Sequence, residues 1–273
     1  MDSRPNLEII IELKKWRLIE TGLSSAEWNM AVDEALLDNF SDDDLPILRI
    51  YRWKPSISLG RFSKVKDNLN LKIIKEKNLS IVRRMSGGGI LIHGDDISYG
   101  LILSRNSIKT RGIKDNYRYL CKFLITLYKK LGHNVLFADE IHIESKKSAI
   151  CLAGIEDYDI IIDGKKIGGN AQRYTKNALL QHGSIPIRVD DTQLETLIFE
   201  TSWLNTISSL EKLGTLLKYE KLIELIKEVF SETFNVNFTS DKLSIQEEES
   251  VKKLMDKKYT QESWNIYANT NYA

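Results

Sequence analysis

Cysteine is scarce: Cys121 and Cys151 are the only two in 273 residues. That number leaves no disulfide framework and suits a reducing compartment. Neither sign of charge dominates, because 39 Lys and Arg stand against 38 Asp and Glu. A dedicated nucleic-acid binder carries a basic excess that is missing here, although a local basic patch is still allowed. No apolar run approaches the ~20 residues that a membrane-spanning helix needs. The N-terminal "MDSRPNLEIIIELKKW" has no apolar h-region followed by a small-residue cleavage site. CxxC and HExxH spacings are missing too, so no metal site is predicted. No repeat or low-complexity linker divides the chain. These absences predict a soluble, cytoplasmic protein with neither membrane nor nucleic acid as a partner. Hydrophobic residues make up 42% of the chain, enough for a sizeable core.

What is present reads as an α+β chain (α/β by some schemes). "KKWRLIETG" is a first strand, and Ser24 with Glu27 forms a capping box for an amphipathic helix over about 26–39. Met30, Ala31, Ala35 and Leu37 serve its inner side. "LPILRIYRW", "SISLGRF", "SIVRRMSGGGILIH", "ISYGLILS" and "ALLQHGSIPIRV" read as strands. Residues 71–78 read as a short helix and 113–131 as one long amphipathic helix. "YDIIIDGKKIGGNAQ" is a hairpin, since Asp163-Gly164 suits a two-residue type I′ turn between β-branched runs. Beyond about Asp190 the pattern turns helical, most clearly at 218–234 and 246–258. The expectation is a mostly antiparallel sheet followed by helices.

Three polar features interrupt apolar strands. "RRMSGGGILIH" puts Arg84, Ser86, three consecutive glycines and His93 into one run. A glycine-rich turn beside arginine offers backbone N–H groups to an anion or carbonyl. It is neither a Walker loop nor a dinucleotide fingerprint, because the required spacings are missing. A bulged strand whose glycines allow close sheet packing is the other reading, and composition does not separate the two. In the hairpin, Ile161 faces Lys166, so Lys166, Gly168 and Asn170 are expected to share one face, with a trough beneath the ammonium. An exposed hairpin-tip lysine is the plainer alternative. Cys151 lies 15 residues before Lys166, which would supply the cation that a reactive thiolate needs. Cys121 is assigned to the core, and His182, like His93, would by itself be a structural histidine.

Together, "RRMSGGGILIH", "DGKKIGGNAQR" and "LLQHGSI", in this order, resemble the biotin/lipoate A/B protein ligase family. "NMAVDEALL", "LRIYRWKPSISLGRF" and "KYTQESWN" extend the resemblance from Trp16 to Asn265. It implies a bent mixed, largely antiparallel sheet flanked by helices, with an acyl-chain tunnel. The division it implies is an N-terminal extension over 1–15, one catalytic domain including the C-terminal helices over 16–265, and a tail over 266–273. Site residues carried over are Lys166 as the active-site lysine and a substrate wall of Arg84, Ser86, Gly87, Gly88, Gly89, Ile90, Leu91, Ile92 and His93. Gly168, Gly169, Asn170, Ala171 and His182 complete the binding set.

The pattern is closest to the Cys-type octanoyltransferases of protein lipoylation. Cys151 stands seven residues before Tyr158, and Asp96-Ile97-Ser98-Tyr99 fits their acidic-then-Ser/Thr-Tyr pattern. Two departures stand out: Gly94 replaces the usual aspartate after the histidine, and no aromatic follows Cys151. The resemblance implies octanoyl transfer from acyl carrier protein to a lysine of a lipoyl carrier domain, such as glycine cleavage H protein or an E2 lipoyl domain. Cys151 would carry the acyl group and no cofactor would be required. Lys64, Lys66, Arg105 and Lys109 are expected to dock the carriers. The alternatives are an ATP- and Mg²⁺-dependent lipoate–protein ligase, and a non-catalytic acyl-binding or carrier-docking protein.

Overall fold

The computed structural model describes residues 15–108, 112–141, 154–201 and 204–268. In chain order its elements begin with β1 (Lys15–Ser24), α1 (Ala26–Asn39), β2 (Ile47–Trp53), β3 (Ser56–Leu59), α2 (Leu71–Glu76), β4 (Ser80–Arg83), β5 (Ile90–His93) and β6 (Asp96–Ser104). Next come α3 (Ile113–Leu120), α4 (Lys122–Lys130), β7 (Val135–Phe137), β8 (Ile160–Ile162), β9 (Lys165–Ile167), β10 (Gly169–Tyr174) and β11 (Ala178–Pro186). The last are α5 (Asp191–Leu197), β12 (Ile207–Ser208), α6 (Tyr219–Phe234), β13 (Asn237–Asp241), α7 (Ile245–Leu254) and α8 (Glu262–Asn265).

The main sheet has the order β10-β11-β6-β2-β1-β13, with β1 parallel to both of its neighbours and the other pairs antiparallel. Two smaller sheets, β12-β9-β8-β7 and β4-β3-β5, stand beside it. The α+β expectation of a mixed, largely antiparallel sheet flanked by helices therefore holds. β13 comes from the stretch whose pattern reads as helical, and it enters the sheet by pairing Trp16 with Phe238.

Alternation along the strands sorts side chains between two cores. One face of the main sheet sends Leu48, Ile50, Ile97, Tyr99 and Leu179 against α4 and α6, where Phe230 meets Phe123 edge-on at 5.2 Å and Trp16 at 5.0 Å. Burying each such ring contributes about 2–3 kcal/mol. The other face packs on α1, which is buried nearly all round through Met30, Ala31, Val32, Ala35, Leu36 and Leu37.

Three expectations are corrected. The cap of α1 is Ser25, whose Oγ accepts from the Trp28 N–H, because Ser24 is held in β1 opposite Trp53. The long helix is broken at Cys121 into α3 and α4. The hairpin does form with Ile161 opposite Lys166, and Asp163 and Gly164 both take positive φ. Its second strand ends at Ile167, however: Gly168 turns at φ +70 and the chain enters the main sheet as β10. Lys166 and Asn170 thus lie in different sheets and do not share a strand face. A Cβ at Gly168 would sit 2.2 Å from the Ser184 carbonyl oxygen, so this crossing needs glycine twice over. Among the described residues no helix is long and apolar enough to cross a membrane.

Candidate functional site

The α1-facing side of β2, β6 and β11 is apolar toward one end and polar at the other. Residues two apart on β2 present Arg49, Tyr51 and Trp53. Neighbouring β6 contributes Asp96 and Ser98, and β11 contributes His182 and Ser184. Of these, Tyr51, Trp53, Ser98, His182 and Ser184 line a pocket together with Arg84, Leu91, His93, Gly169, Asn170, Ala171 and Gly183, while Arg49 and Asp96 stand behind its wall. That lining, apolar at Trp53 and Leu91 and polar at a few convergent groups, suits a largely apolar ligand with a few polar contacts.

Two histidine–carboxylate pairs flank this cavity. In the first, His182 Nδ1 lies 2.9 Å from Asp33 Oδ2 and His182 Nε2 lies 2.6 Å from Ser86 Oγ. Asp33 also accepts from the Arg49 guanidinium and, at 3.0 Å, from Tyr51 OH. Burial pushes the Asp33 carboxyl up, but Arg49 and the His182 N–H outweigh it and hold it below the usual carboxylate value. Burial beside Asp33 raises the Tyr51 phenol well above its ordinary value.

In the second, His93 Nδ1 lies 2.9 Å from Asp96 Oδ2 and His93 Nε2 lies 2.7 Å from Ser58 Oγ. Ser58 also accepts from Arg84 Nη1 at 2.7 Å, and Arg84 Nη2 donates to the Gly87 and Gly89 carbonyls. The Trp53 indole stacks on the His93 ring at 4.0 Å and donates to Ser98. Asp96 accepts from Ser184, Ser98 and the Gly94 N–H. Burial would raise it, yet His93 and these donors keep it below the ordinary value.

The glycine run is explained partly by its neighbour. A Cβ on Gly60 would lie 1.8 Å from the Gly88 carbonyl oxygen, and Gly88 itself has φ +89. The Gly60 N–H donates to the Gly89 carbonyl and the Arg61 N–H to the Ser86 carbonyl, clamping the loop to the end of β3. Arg83, buried, ties the same region to the C-terminal segment by donating to the Trp264, Gly60 and Ser63 carbonyls. Gly87 has open space where a Cβ would stand. Both readings of the run therefore have support: its Gly88 carbonyl packs so closely that position 60 must be glycine, Gly88 itself sits at positive φ, and the loop also borders the cavity through Arg84.

Of the residues expected at the site, Arg84, Leu91, His93, Gly169, Asn170, Ala171 and His182 meet at the cavity. Ser86 joins through His182. Ile90 and Ile92 turn instead to the apolar cluster of the small sheet with Ile57 and Leu59. Lys166 is neither at an exposed tip nor over an empty trough. It is 3% exposed and donates to Asp159 Oδ2 at 2.7 Å and to the Gly154 carbonyl at 2.8 Å. Cys151 and Lys109 lie outside the described residues, while Lys64, Lys66 and Arg105 are exposed. Cys121 is buried, as expected for a core thiol, and burial pushes its pKa up.

Sequence reasoning passed over Asp33, Arg49 and Ser58. The legible signal was a carboxylate on the apolar stripe of α1 and an arginine in alternation with Ile47 and Tyr51, since buried charges occur mainly in pairs.

The chain matches the family described as the lipoyl protein ligase A/B catalytic domain over residues 25–234. It is 33% identical to octanoyltransferase LipM of Oceanobacillus iheyensis, covering 91% of this chain and 96% of that one. It is 28% identical to octanoyltransferase LipM of Bacillus anthracis, covering 92% and 98%. A solved structure of lipoate-protein ligase A bound with ATP superposes with a TM-score of 0.81 at 24% identity, covering 93% of this chain and all of that one.

Proposed function

Because the chain belongs to the lipoyl protein ligase A/B catalytic domain family, we propose that it is an acyltransferase of protein lipoylation that moves an octanoyl group onto a lysine of a lipoyl carrier domain. The observation that carries this reading is the near-complete overlap with octanoyltransferases at up to 33% identity, against a likeness to the ATP-bound ligase that is one of fold. The donor is an octanoyl thioester of acyl carrier protein, and the acceptor is glycine cleavage H protein or an E2 lipoyl domain. Cys151 thiolate attacks the thioester carbonyl and expels the carrier thiol. The acyl-cysteine is then attacked by the acceptor amine, so one difficult exchange becomes two thioester steps without ATP or metal.

The cavity supplies an apolar wall at Leu91 and Trp53 for the alkyl chain and polar groups at Arg84 and Asn170 for its head. Lys166, held by Asp159 and the Gly154 carbonyl, serves as the fixed positive charge for the developing oxyanion.

Intact-mass spectrometry with octanoyl–acyl carrier protein and no ATP tests this. The wild type should gain one octanoyl group, Cys151→Ala none, and Lys166→Ala should charge on the order of 10²–10³-fold more slowly. Modification of a lipoyl domain only when free octanoate or lipoate and ATP·Mg²⁺ are supplied would favour the ligase reaction instead.

A further inference from the structure

An acceptor lysine reaches the acyl thioester as an ammonium, since its ordinary pKa is about 10.4. It has to lose a proton before its nitrogen has a lone pair to attack with. The transferase reading above names no group for that proton, and this inference rests on that reading.

The hydrogen bonds around His182 fix how its ring is used. Asp33 is a carboxylate that only accepts, and it already takes donors from Arg49 and Tyr51. His182 Nδ1, 2.9 Å away, therefore carries its proton and donates it to Asp33. In the neutral ring Nε2 is then a lone pair, and the hydroxyl 2.6 Å from it, that of Ser86, is its donor. Among the described residues no second hydrogen-bond partner holds Ser86 Oγ; Ser86 is itself buried, and the ring it bonds, that of His182, lines the cavity. The His93 chain ends differently, because Ser58 Oγ is already taken by the Arg84 guanidinium. Titratable and charged groups around His182 are Asp33 from α1, Arg49 and Tyr51 from β2, and Arg84 and His93 across the cavity.

We propose that Ser86 and His182 form the proton relay that deprotonates the attacking lysine, with Asp33 and Arg49 as positioning residues. The ammonium gives a proton to Ser86 Oγ as the Ser86 proton passes to His182 Nε2, and Asp33 steadies the imidazolium. The freed nitrogen bonds to the acyl carbon, the carbon–sulfur bond breaks, and the second nitrogen proton ends on the departing cysteine sulfur. No oxidant, metal or further reactant enters.

The experiment charges the full-length protein with octanoyl–acyl carrier protein and then splits the acyl-enzyme between two acceptors. One is a lipoyl domain, whose lysine needs a base; the other is hydroxylamine, an amine unprotonated at neutral pH. The expected result for His182→Gln is a fall of at least about 10²-fold in the ratio of lysine transfer to hydroxylamine transfer, relative to wild type. Ser86→Ala should lower the same ratio about tenfold or more, and it keeps the test alive if the histidine variant folds poorly. The lysine arm of His182→Gln should also gain roughly tenfold per pH unit as the amine loses its own proton, and the hydroxylamine arm should not. Ratios equal to wild type in both variants would overturn the relay, whatever the absolute rates, because a merely structural role slows both acceptors alike. A wild type that never takes up an acyl group would overturn the thioester reading and the relay with it, and it shows before any amine is added.

Discussion

Two Ser–His–Asp chains meet one cavity in this protein, and their carboxylates are satisfied in opposite ways. Asp33 is 0% exposed and shares its charge with the equally buried Arg49. Among the described residues no arginine reaches Asp96; His93, two serine hydroxyls and a backbone N–H serve it instead. At the serine end the pattern inverts, since Arg84 occupies the Ser58 hydroxyl while the Ser86 hydroxyl is bonded to His182 alone among the described residues. In each chain the arginine serves one end only, the carboxylate of the first and the hydroxyl of the second. The first chain is anchored at the carboxylate and open at the hydroxyl; the second is closed at the hydroxyl and braces the glycine loop through Arg84.

The sharpest way to break this comparison is to remove each carboxylate. Asp33→Ala strands a buried guanidinium and should cost about 3–5 kcal/mol. Urea midpoints at constant m-value measure it, and adding Arg49→Met should recover much of the loss because the orphaned charge goes too. Asp96→Ala removes a hub served by His93, two hydroxyls and a backbone N–H, with no buried guanidinium to strand, and should cost less, about 1–3 kcal/mol. Equal losses for the two variants would show that the buried arginine adds nothing.

Acid sharpens the same point. Both carboxyls lie below their ordinary values when folded. Their stabilisation is therefore present above the unfolded value of about pH 4 and is lost as pH falls through the folded values. Asp96→Asn should be less stable than wild type at neutral pH and should lose less on acidification below about pH 4, as read by thermal melts across pH.

The loop that joins the two chains gives the smaller effects. Gly60→Ala forces a methyl onto the Gly88 carbonyl and should cost about 1–3 kcal/mol, with acyl charging slowed. Gly87→Ala meets open space and should stay within about 0.5 kcal/mol of wild type. A larger loss there would mean that the loop is less tightly clamped than its bonds to Gly60 and Arg61 imply.

Much of the site is local in the chain and was legible there. Asp163-Gly164 sets its own turn because both residues tolerate positive φ, and that sets Ile161 against Lys166. Arg84, Ser86 and His93 are conspicuous because glycine, charge and histidine interrupt an apolar strand. Less legible was what each polar residue faces. Gly168 reads as a continuation of the hairpin strand, yet the nearby Ser184 carbonyl makes it a corner between sheets. Ser24 has the capping-box spacing to Glu27, yet its pairing with Trp53 keeps it in the strand and leaves Ser25 as the cap.

The sequence by itself determined the α+β class, the turn, the glycine loop and the identity of the polar residues, since these depend on backbone preferences and near-neighbour spacing. Only the tertiary structure decided that Asp33 reaches across 149 positions to His182, that Ser86 reaches across 96 to the same ring, and that Lys166 is buried against Asp159 rather than exposed. Those partnerships arise because a carboxylate, an imidazole and an ammonium buried in one fold must find each other as water is excluded, and no local pattern in the chain records which will meet.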